Sequence, residues 1–71
     1  MSEFTETIYE ALTDDWQSTH DIGMKVCRGL EWPSHRNKVQ HHLRVLVSNR
    51  RAEMRQAESG GVRFLEWRRI A

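Results

Sequence analysis

The sequence predicts an α+β chain of three helices, a short strand after the first helix, and a C-terminal two-stranded β-hairpin. Three observations carry that expectation. Val39, Leu43, Leu46 and Val47 recur at helical spacing, so one stripe of a long helix faces a core. Gly60-Gly61 supplies the positive φ values that a two-residue hairpin turn requires. Pairing the flanking segments about that turn sets Ser59 against Val62, Glu58 against Arg63, Arg55 against Glu66 and Glu53 against Arg68. The last three are opposite-charge pairs, each worth a few tenths of a kcal/mol up to about 1 kcal/mol. A four-residue loop would instead oppose Glu53 and Glu66, so the tight turn is preferred.

In chain order, Phe4, Ile8, Ala11 and Leu12 keep the spacing of a first helix. Thr5 or Ser2 is available as its cap, Glu6 suits its positive end, and Asp14-Asp15 predicts a turn that ends it at Thr13. Trp16-Gln17 reads as a single short strand. Ser18 with Asp21 three residues on forms a capping signature for helix two, whose Ile22 and Val26 face inward. Gly23 costs about 1 kcal/mol relative to Ala in a helix interior, and its presence predicts a close helix crossing.

Gly29 fits a C-cap for that helix. Leu30 to Pro33 is expected to be a loop, because Pro33 biases Trp32 away from helix, with Ser34 capping helix three. Asn49 is the expected left-handed terminator. In the hairpin, Ala52, Met54, Leu65 and Trp67 share a face that can close over the helices.

Turning roughly 100° per residue, the outward face of helix three carries Asn37, Lys38, His41 and Arg44, with Arg36 and Gln40 on its flank. Such side chains hydrogen-bond base edges and phosphates. A merely solvated face is the bland alternative. Against it stands the absence of any Asp or Glu between Pro33 and Arg51, where a solvated helix ordinarily mixes both signs. Charge is also polarised along the chain. Glu3, Glu6, Glu10, Asp14 and Asp15 precede any Lys or Arg, whereas beyond Pro33 Glu53, Glu58 and Glu66 are far outnumbered by Lys and Arg. Such a distribution orients a protein toward a polyanion.

Val39-Gln40-His41-His42-Leu43-Arg44-Val45-Leu46 looks like the recognition-helix pattern V-S-R-H-L-x-x-L of small bacterial repressors, and Thr19 to Val26 is similar to the T-x-x-E-L-A-x-x-L pattern of the preceding helix. With its order of elements, the chain resembles the winged helix-turn-helix DNA-binding domain over nearly its full length. It departs from that pattern in the longer link from Arg28 to Pro33, and in Val45, which points away from the core.

The resemblance implies a small, sequence-specific regulator of bacterial or phage type that binds double-stranded DNA. Asn37, Gln40, His41 and Arg44 would read bases in the major groove, while Arg36, Lys38, Arg55, Ser59, Gly60, Gly61 and Arg63 would meet phosphate or the minor groove. The alternative is a winged-helix module for protein contact, with Trp32, Val45 and Phe64 as its surface and Trp32 exposed beside Pro33. Trp67 and Trp16 are expected in the core or against a strand. Self-association is left open.

Other classes are disfavoured. At 71 residues the chain is read as one small domain, and its single cysteine allows no intrachain disulfide. No signal peptide or membrane-length apolar run is seen, so a cytoplasmic protein without membrane contact is expected. His35, His41, His42 and Cys27 lack the paired spacing of a zinc site. No nucleophile with a positioned base is evident, so neither catalysis, a cofactor nor a small-molecule substrate is expected.

Overall fold

The computed structural model describes residues 3–27 and 32–70. It is α+β: helices α1 (Glu3–Ala11), α2 (Thr19–Val26) and α3 (Trp32–Ser48), and strands β1 (Gln17–Ser18), β2 (Ala52–Ser59) and β3 (Val62–Arg69). The strands form one antiparallel sheet in the order β1-β3-β2. Its hairpin has the register expected from charge, with Glu53 against Arg68, Arg55 against Glu66, Glu58 against Arg63 and Ser59 against Val62. Gly60 and Gly61 have φ of 58° and 81°, the twist that matches a two-residue turn to its strands.

The core lies between the helices and one sheet face: Ile8, Leu12, Ile22, Trp32, Val39, Leu43, Leu46, Ala52 and Trp67 are buried. Trp67 is fully enclosed and donates its indole N–H to Thr19 Oγ1 at 2.8 Å, so its polar edge is satisfied where α2 meets the sheet. Of the expected hairpin face, Leu65 is half-buried and Met54 remains 40% exposed.

Several boundaries differ from expectation. Helix α1 ends at Ala11, two residues before Thr13; the Thr13 hydroxyl instead accepts from Asp15 N–H at 3.1 Å and shapes the turn. Thr5 does not cap α1, because it is buried in the helix and bonded to His42; Ser2 lies outside the described residues. The strand is displaced by one residue, since Gln17 and Ser18 pair with Trp67 and Glu66. Ser18 caps α2 as expected, its Oγ accepting from Asp21 N–H at 3.0 Å. That helix closes at Cys27, whose N–H reaches Gly23 O at 2.8 Å, and Gly29 lies outside the described residues.

Helix α3 begins at Trp32, two residues ahead of Ser34. A proline in the first turn needs no N–H partner, so Pro33 is accommodated as the second residue of the helix instead of excluding it. The left-handed residue at its end is Arg50 (φ 59°), not Asn49. Arg50 N–H bonds to Val47 O and Arg51 N–H to Leu46 O, both at 3.0 Å, the paired bonds of a Schellman closure. Among the described residues no helix is long and apolar enough to cross a membrane.

Candidate nucleic-acid interface

The inward stripe of α3 is as phased: Val39, Leu43 and Leu46 are buried and Val47 is half-buried. Its opposite face presents Arg36, Asn37, Lys38, His41 and Arg44 to solvent, while Gln40 is half-buried. Arg36 and Gln40, one turn apart, enter the wall of a groove of about 610 Å³ between α3 and the hairpin. The other described lining residues are Ser18, Thr19, His20, Trp32, Arg63, Phe64 and Leu65, so among the described residues no carboxylate lines the groove. Lys38 leans the other way, its Nζ 4.6 Å from the centre of the Phe4 ring on α1.

Cations on the basic side of the chain fall into two sets. Four are engaged within the fold. Arg51 pairs with Glu6 at 3.1 Å and lies over Tyr9, Arg55 pairs with Glu66 at 2.7 Å, and Arg68 with Glu53 at 2.7 Å. Arg69 donates to the Tyr9 and Glu10 carbonyls at 3.0 and 3.3 Å, where a cation suits the negative end of α1. Arg36, Lys38, Arg44, Arg50 and Arg63 have no ion-pair partner among the described residues. The unpaired charge therefore collects on α3, just beyond its end, and on the hairpin.

Arg55 is set apart from that group. Alternation along the strand places it on the sheet face opposite Trp67, where its guanidinium lies 4.4 Å from the centre of the Trp16 ring. Arg68 lies over the same ring at 4.6 Å, so Trp16 is a strand-packing residue beneath two paired guanidiniums. Ser59, Gly60, Gly61 and Arg63 are exposed at the hairpin end, with Val62 beside them at 65% exposure.

No protein-family model, curated protein or solved structure matches this chain.

Trp32 is buried, not exposed as its place beside Pro33 implied; its indole N–H donates to His20 Nδ1 at 2.9 Å. It is therefore unavailable as the exposed anchor of a protein-contact surface, and Val45 and Phe64 are each only half-buried. The sequence reading also missed His20, exposed in the first turn of α2 and part of the groove wall. A signal for it existed: it follows Ser18, the cap that fixes where that turn begins.

His42, set aside above as a zinc ligand, has a structural place at the edge of the core. It is half-buried against α1, sharing a 2.7 Å hydrogen bond with Thr5 and an edge contact with Phe4 at 5.1 Å. Burial lowers its pKa from the usual 6.5, and His41 and Lys38 lower it further by like-charge repulsion. His41, next in the chain, faces solvent. Among the described residues no three His, Cys, Asp or Glu side chains converge as a metal site.

Proposed function

We propose that this chain is a small winged-helix protein that binds double-stranded DNA in a sequence-specific manner, as a regulator of transcription. The observation that carries the reading is the sorting of cations: beyond Pro33, those without an ion-pair partner among the described residues lie on α3, just past its end and on the hairpin, and Arg36 and Arg63 share a groove with no carboxylate among its described lining residues. An α-helix fits the major groove, and phosphate neutralisation supplies most non-specific affinity. Asn37, His41 and Arg44 are exposed and free to meet base edges, with Gln40 at their margin. Arg36, Lys38 and Arg63 then meet phosphates, while Ser59, Gly60 and Gly61 form a narrow tip without bulky side chains for an adjacent groove. Arg55 is assigned a supporting part, since Glu66 already holds its guanidinium over Trp16.

A backbone-amide NMR titration with random-sequence duplex at low salt tests the reading. Shifts confined to α3 and the hairpin end are expected. Shifts confined to the Trp16 face of the sheet, or none at all, would overturn it.

A further inference from the structure

Strand β2 forms an edge of the sheet, with β3 as its only strand neighbour among the described residues. Two hydrogen bonds define which backbone groups face outward. Ile70 N–H reaches across to Arg51 O at 3.2 Å, whereas Arg69 N–H turns away to Thr13 O at 2.8 Å. Because antiparallel pairs alternate, Arg51, Glu53, Arg55 and Ala57 address β3, and Ala52, Met54, Gln56 and Glu58 present N–H and C=O to the free edge. Proteins commonly guard such edges with charge. Within Ala52–Ser59 the charges are self-complementary in one register.

We propose that β2 pairs antiparallel with β2 of a second copy of this chain, with the two-fold axis at Met54. An outward-facing residue must oppose an outward-facing residue, so only registers centred on a residue are allowed. Centring on Met54 sets each Glu53 against Arg55 of the other copy and Ala52 against Gln56. Centring one residue earlier opposes two Glu53 side chains, and one later opposes two Arg55. Centring on Gln56 sets Arg55 against Ala57 and leaves both signs without a partner across the edge.

In the Met54 register, Glu53 and Arg55 keep their bonds to Arg68 and Glu66. Charge then alternates across four strands, from Glu66 to Arg55 to Glu53 and Arg68 of the second copy. On the other face two Met54 side chains meet, each beside its own Trp67, and cover apolar surface left 40% exposed in one copy. The product is a continuous six-stranded sheet. This inference does not depend on DNA binding.

Sedimentation velocity over a concentration series, with the full chain at low salt, is expected to show a monomer–dimer equilibrium that weakens as salt screens the edge charges. Met54→Pro removes an outward N–H, a change edge strands accept, so the variant should fold yet dimerise roughly tenfold to a hundredfold more weakly. In a mixture of isotope-labelled and unlabelled wild-type chain, an inter-copy NOE between Glu53 Hα and Arg55 Hα is expected, independent of any variant's folding. A chain monomeric at millimolar concentration, a folded Met54→Pro variant that dimerises normally, or inter-copy contacts centred elsewhere would overturn the proposal.

Discussion

The six-membered ring of Trp32 lies directly against Gly23, so that a Cβ added at Gly23 would overlap it. Here the first residue of α3 docks on the middle of α2, and the 2.9 Å bond from the indole to His20 holds the ring in place. The close approach expected at Gly23 is thus made by a side chain at a helix start.

Gly23→Ala should therefore destabilise the protein even though Ala is the better helix former. Overpacking a buried ring costs about 1–3 kcal/mol, which outweighs the helix-propensity gain of about 1 kcal/mol. Thermal unfolding should show a lower midpoint. A midpoint at or above that of the wild type would mean that Trp32 moves aside without penalty.

Arg50→Gly should have the opposite effect. The left-handed conformation penalises a side chain by roughly 1–2 kcal/mol, against roughly 0.5–1 kcal/mol of extra chain entropy for glycine. A gain of up to about 1 kcal/mol, or about 4–8 °C in midpoint for a domain of this size, is expected. Arg50→Val should lower the midpoint. A destabilised glycine variant would show that the arginine side chain contributes contacts exceeding the backbone strain.

These positions mark how much was legible in the sequence. Turn chemistry and charge pairing act between strand neighbours, so the hairpin register could be read, as could the long stripe of α3 and the Ser18 cap. Trp32 could not be placed, because local proline geometry says nothing of a glycine notch nine residues earlier that receives the ring. Asn49 and Arg50 were exchanged because the closure is set by Arg51 N–H returning to Leu46 O, where the hairpin departs. Arg55 was visible both as a partner of Glu66 and as a basic residue near a turn; only the ring of Trp16 beneath it separates those roles.

Acid should weaken the fold through His42. Burial, then His41 and Lys38, lower its folded pKa below the ordinary 6.5, so below that pH the unfolded chain takes up the proton more readily. The neutral state's advantage is fully present above pH 6.5 and is lost as the pH falls toward the folded pKa. Urea midpoints measured from about pH 8 to about pH 5 should fall, and His42→Gln should flatten part of that slope. An identical slope in the variant would assign the acid sensitivity to other groups.

Helix and hairpin should respond differently in DNA binding, because base contacts specify while phosphate contacts position. Arg44 is exposed on α3 with no ion-pair partner among the described residues. Arg44→Ala should cost about 1–3 kcal/mol on a selected site and reduce discrimination against random duplex. Arg63 faces the groove beside the hairpin end. Arg63→Ala should weaken both duplexes alike and lower the salt slope by about one unit, since one fewer counterion is released. Arg55→Ala is the internal contrast: with its charge already met by Glu66, it should lower the thermal midpoint more than it alters the salt slope. Fluorescence-anisotropy titrations over a salt series, on variants first shown to be folded, measure all three. If Arg44→Ala and Arg63→Ala leave binding unchanged, the unpaired cations of α3 and the hairpin serve no polyanion, and the DNA reading fails with them.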